Sequence, residues 1–153
     1  MEIEEYLLLF GERIELNEYL EREKKRFEKN KFITAENWGN IINSQNFKCF
    51  YCETNLEIIQ ELILHKIIKP RKRGKYGYSG MHFELDHKNA DNNDNNLENL
   101  VASCYYCNND KSNTFSSSIF KKYFGFYKKE SFEKLFEDSN INLTNKLKHN
   151  LKP

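Results

Sequence analysis

The sequence predicts an α+β fold in which a two-stranded hairpin and a helix sit between helical flanks. Three observations predict it. Near the start, Leu7, Leu8, Phe10, Ile14, Leu16, Tyr19, Leu20 and Phe27 recur at helical spacing with charges between them. Residues 81–111 run as strand, long loop, strand and helix. Two Cys-x-x-Cys pairs, Cys49 with Cys52 and Cys104 with Cys107, fall before and within that segment and offer a staple.

The 153 residues give room for one domain, read as a single unit over 1–153: a helical layer over 1–45, a stapled core over 46–113 and aromatic-rich helices over 114–153. Only 39% of the residues are apolar, so the core is expected to be modest and to need the staple. Phe and Tyr let fewer, larger side chains fill it.

The first periodic segment reads as one or two helices, broken near Gly11. Thr34 is placed to cap a helix through Trp38, Ile41 and Ile42. Residues 56–68, rich in Ile and Leu, suit a helix or a strand, with the helix preferred, ended by Pro70. Residues 70–80 hold Gly74, Gly77 and Gly80 and are expected to form a mobile loop. A strand over 81–86 leads to Asp86-His87. Residues 89–96, NADNNDNN, make turns and no regular element. A second strand covers 100–103, and a turn opened by Cys104 passes into a helix through Lys111. Beyond it Phe120, Tyr123, Phe124, Phe126, Phe132, Leu135 and Phe136 suggest helices that close the core, with a frayed tail from 145.

No stretch is long enough to span a membrane, and the acidic start lacks the basic flank of a signal peptide, so the expectation is a cytoplasmic protein in a reducing compartment. Disulfides are disfavoured there. The cysteine spacing instead lets two thiolates reach one tetrahedral Zn²⁺ from a tight turn. A redox pair with two buried thiols is the competing reading. A net charge of +1 excludes a uniformly basic surface but not a basic patch. Lys66, Lys69, Arg71, Lys72, Arg73 and Lys75 form a run with no acid among them. With Tyr76 and Tyr78 interleaved, Arg71, Lys72, Arg73 and Lys75 suit a nucleic-acid backbone; a solvated loop is the alternative.

Hydrolysis of a phosphodiester needs a base for water, a cation on the phosphate oxygens and help for the leaving oxygen. Asp86 supplies a hard oxygen ligand suited to Mg²⁺. The adjacent His87 supplies an imidazole, the side chain whose ordinary titration lies nearest neutrality. Asn108 follows directly on the second cysteine pair, where a bound zinc would fix the backbone that aims its amide oxygen. Glu84 shares a strand face with Asp86 and is read as an extra ligand, an acceptor behind a ligand, or a solvated residue.

In this order and spacing Asp86-His87, Asn99-Leu100 and Cys104-x-x-Cys107-Asn108-x-x-Lys111 resemble the HNH endonuclease family, the ββα-metal fold. The likeness covers 84–111 and the first cysteine pair. It implies His87 as general base, Asp86 and Asn108 as ligands of a catalytic Mg²⁺ or Mn²⁺, and Cys49, Cys52, Cys104 and Cys107 as ligands of a structural Zn²⁺. It also implies that Asn99 steadies the loop and the orientation of the histidine, and that Lys111 contacts phosphate. The implied substrate is double-stranded DNA, cut in a restriction or anti-phage defence setting by a homodimer or with a partner protein. Two positions depart from the family: Asn and Asp replace glycines in the loop after His87, and Lys88 stands where an apolar residue is common. The alternative is a zinc-stabilised nucleic-acid-binding module without catalysis.

Overall fold

The computed structural model describes residues 2–10, 20–21, 33–73 and 77–141. The expectations for Gly11, Ile14, Leu16, Tyr19, Phe27, Gly74, Lys75, Tyr76 and the tail from 145 lie outside them. The fold is α+β, with helices around two small antiparallel sheets. Among the described residues no helix is long and apolar enough to cross a membrane.

Helix α1 covers Ile3–Phe10, and its Leu7 packs against the core together with Leu20. Helix α2 covers Ala35–Ser44. Its cap is Thr34, whose hydroxyl accepts from the Asn37 amide at 3.1 Å, as expected. Trp38 and Ile42 from this helix enter the core. Helix α3, Leu56–Leu64, is capped by Asn55 and buries Ile59, Leu62 and Ile63. It stops short of Pro70 because Lys66 takes a left-handed backbone, φ 59°.

Residues 71–73 and 77–79 are strands and not part of the loop expected over 70–80. Strands β1, Arg71–Arg73, and β2, Gly77–Ser79, pair antiparallel with Lys72 opposite Tyr78. The cause is long-range. Tyr106 donates its hydroxyl to the Lys69 carbonyl at 2.8 Å, and the Arg71 guanidinium lies over the rings of Tyr105 and Tyr106 at 5.9 and 5.8 Å. Those anchors hold the hairpin onto a helix whose place the local sequence does not show.

Strands β3, Glu84–His87, and β4, Leu100–Ser103, form the second hairpin, with Asp86 opposite Val101 and His87 opposite Leu100. The Gln45 side chain pins β4, accepting from the Ala102 amide at 2.9 Å and donating to its carbonyl at 2.7 Å. Helix α4, Tyr105–Lys111, follows at once. Helix α5, Ser117–Phe120, leads through a wide i→i+5 turn over Lys121–Gly125 into helix α6, Phe126–Asp138. Gly125 of that turn sits on the Tyr51 carbonyl, where a Cβ would collide. These helices close the core only in part. Phe120 and Phe132 are buried, whereas Tyr123, Phe126 and Tyr127 are 56%, 59% and 68% exposed.

Candidate metal centre and the adjoining carboxylate–histidine site

The first cysteine pair lies in a tight turn closed by an antiparallel bridge between Lys48 and Asn55. Within it the Cys49 amide donates to the Thr54 carbonyl and the Glu53 amide to the Cys49 carbonyl, with Glu53 in left-handed backbone. The second pair joins β4 to α4. Cys104 is the helix cap, its sulfur accepting from the Cys107 amide at 3.4 Å, while its own amide donates to the Cys49 sulfur at 3.3 Å. All four side chains are 0–1% exposed, and their sulfurs lie within 4.8 Å of one another. Hydrogen bonds from Cys104 and Cys107 draw the Cys52 thiol far below its ordinary range, and hydrogen bonds with Cys107 and Cys49 push the Cys104 thiol well above its own. A bound cation would favour the ionised form of the sulfurs that hold it. Four buried sulfurs so arranged could hold a metal ion such as zinc.

Strand β3 carries the second cluster. Helix α4 packs on it so that Asn108 and Lys111, three apart on one helix face, meet Glu84 and Asp86, two apart on one strand face. Asn108 donates from Nδ2 to Glu84 Oε2 at 2.8 Å, which turns its amide oxygen away from that carboxylate. Glu84 is therefore the acceptor behind Asn108, one of the three roles open to it from sequence. Asp86 is buried. Its Oδ2 accepts from the Tyr51 hydroxyl at 2.5 Å and lies 3.1 Å from Lys111 Nζ. Burial, and then the bond to Asp86, push the Tyr51 hydroxyl far up, so that it stays protonated and donates.

Lys111 differs from the expectation that it would contact phosphate. Its side chain is 0% exposed, and its ammonium also donates to the His87 carbonyl at 3.0 Å and the Ser112 carbonyl at 3.3 Å. A buried ammonium needs a carboxylate and full hydrogen bonding, and Asp86 supplies the charge.

His87 is half-buried, with Nε2 at 2.9 Å from Asn95 Oδ1. Asn99 has the loop-holding part of its expected role. Its side chain accepts from the Asn89 amide at 3.1 Å and donates to Asn89 Oδ1 at 3.0 Å and to the Asp94 carbonyl at 2.8 Å. Orientation of the imidazole falls to Asn95. Sequence reasoning passed over Asn95 because nothing distinguishes it within NADNNDNN. It passed over Tyr51 too, although its position inside a Cys-x-x-Cys turn marked it for burial.

The expected basic contacts are dispersed. Arg71 is an ion-pair partner of Asp110 at 3.4 Å and stacks on two tyrosines, so its charge is engaged within the protein. Lys72 is exposed on β1. Arg73 contributes backbone to the same strand, and Lys75 lies outside the described residues. Asp110 also meets Lys128 at 2.5 Å. Burial raises the Asp110 carboxyl, but Lys128 and Arg71 outweigh it and hold the group below its ordinary range.

A comparison of the chain with family models, curated proteins and solved structures finds no match.

Proposed function

We propose that this chain is a metal-dependent endonuclease of the HNH type that hydrolyses phosphodiester bonds of DNA. The observation that carries the reading is the docking of α4 on β3. It brings the Asn108 carboxamide beside the strand of Asp86 and His87, directly after four clustered cysteines. The likeness of residues 84–111 to that family adds the substrate class.

Zinc suits the four sulfurs, which are buried and lie within 4.8 Å of one another. For the catalytic ion, Tyr51 and Lys111 engage Asp86 Oδ2, which leaves Oδ1, and Glu84 engages Asn108 Nδ2, which leaves the amide oxygen. Two hard oxygens with water completing the shell fit Mg²⁺ or Mn²⁺. When bound there, the ion supplies positive charge to the phosphate and leaving oxygens.

His87 performs the proton transfer. Asn95 Oδ1 accepts from Nε2–H, so Nδ1 is the basic nitrogen. Water gives a proton to Nδ1 as its oxygen bonds to phosphorus, and the bond from phosphorus to the leaving oxygen breaks. Tyr51 and Lys111 hold the Asp86 carboxylate in place, and Lys111 holds the His87 backbone as well.

One observation favours a binding module without catalysis: Lys111 already balances the Asp86 charge. A nicking assay on supercoiled plasmid decides between the two. The endonuclease nicks with Mg²⁺ or Mn²⁺, stops in EDTA, and is inactive as His87→Ala while keeping its zinc and fold. Cleavage by His87→Ala equal to that of the parent would remove His87 from the mechanism, and binding without any cutting would establish the module.

A further inference from the structure

The basic residues expected to meet nucleic acid lie on the β1–β2 hairpin, yet Arg71 there is engaged by Asp110 and two rings. A different face carries two lysines, Lys88 without a carboxylate partner among the described residues and next to His87 in the chain, and Lys121 with one exposed partner. Lys88, the next residue after His87, has its ammonium 5.7 Å from the centre of the Phe50 ring, and Lys121 has its own 4.8 Å from the same ring. Both lysines are set by backbone. The Lys88 amide donates to the Asn99 carbonyl at 2.8 Å, and its carbonyl accepts from the Ser117 amide at 2.7 Å at the start of α5. Lys121 is one turn further on, at the head of the wide turn.

An aromatic face holds an ammonium without neutralising it. Among the described residues Lys88 pairs with no carboxylate, and Lys121 pairs with Glu53 at 2.9 Å. Glu53 stands at the tip of the first cysteine turn, exposed and in left-handed backbone. Two cations therefore share one ring, only Lys121 has a carboxylate on it, and Lys88 follows in the chain the residue that would activate water.

We propose that Lys88 and Lys121, presented on Phe50, form the phosphate-backbone contact of the nucleic-acid strand entering the His87 site, and that Glu53 occupies part of this contact until the strand displaces it. The proposal rests on the endonuclease reading. A phosphodiester oxygen brings the negative charge that Glu53 supplies in the free protein, so Lys121 exchanges one anion for another and Lys88 gains one. The family likeness gives Lys88 no role, since an apolar residue is common there.

The test is binding, read apart from cleavage. His87→Ala protein in EDTA is titrated with a fluorescent DNA duplex and with a single strand across a range of salt. Changing Lys88 and Lys121 together to Gln should weaken binding at least tenfold and reduce the salt slope by about 2, one unit for each lost phosphate contact. Glu53→Gln should strengthen binding by roughly two- to fivefold, the worth of an exposed ion pair. Lys134→Gln, which removes an exposed lysine paired with Asp138, should change neither. Unchanged affinity and slope in the double variant, or unchanged or weaker binding by Glu53→Gln, overturn this proposal while the endonuclease reading stands. If the parent binds neither duplex nor single strand, both fall. Because Glu53→Gln preserves side-chain shape and removes no packing, it decides the matter even where the double variant folds poorly.

Discussion

Lys111 Nζ lies 3.1 Å from Asp86 Oδ2 with both side chains out of solvent, so the last turn of α4 is tied to the strand that carries the candidate site. A pair of this kind is weak evidence for net stability, but breaking it on one side is costly.

Lys111→Met is therefore expected to destabilise the fold by about 3–5 kcal/mol, because it leaves Asp86 charged and buried. Adding Asp86→Asn should recover a large part of that loss. Denaturant unfolding of the two single variants and the double variant gives the coupling directly. Additive losses would mean that the two groups do not meet.

On the proposed endonuclease reading, Asn95→Ala should lower kcat on the order of 10- to 100-fold with KM for DNA nearly unchanged, since Asn95 meets the His87 ring. The pH profile of kcat should move with it. A pure KM effect would place Asn95 at the substrate instead.

Cys104→Ser removes a sulfur from the cluster and alters the cap of α4. Loss of bound zinc, a lower melting temperature and loss of cleavage are expected together, because Asn108 starts from that cap. A zinc-replete, equally stable variant would argue that the cysteines are only packed thiols.

The Asp110 carboxyl is depressed in the folded protein, so the stability it contributes is present above its ordinary value of 3.8 and is lost as pH falls through its lower folded value. Asp110→Asn should flatten the acid limb of the stability curve below about pH 4. The same limb in parent and variant would show that its partners Lys128 and Arg71 add nothing.

What was legible in the sequence is what local pattern determines. Strand β4 and helix α4 lie where turn chemistry and the Cys104 cap put them. Thr34 caps α2 for the same reason. The β1–β2 hairpin was hidden because its three glycines read as loop, while its anchors Tyr106 and Asp110 come from a helix far along the chain. Lys111 read, through the family likeness, as a phosphate contact; only contact with β3 makes it an interior cation. Conversely, the exposed rings of Tyr123 and Phe126 read as core because helical spacing counts apolar residues without locating the face that packs.

The wide turn over Lys121–Gly125 bears on the phase of the last helix. Phe120 and Phe132 are twelve residues apart, about a third of a turn out of step on a regular helix of ~3.6 residues per turn. An i→i+5 turn rotates less per residue and absorbs one of the twelve. Both rings can then reach the same core, as they would if they stood eleven positions apart on an unbroken helix. The chain is thus one residue longer here than phase requires, and the surplus falls where Gly125 rests on Tyr51, the residue that holds Asp86. Deleting one residue from this turn would leave Phe132 in register and straighten the helix. What it would remove is the close approach of that helix to the cysteine turn.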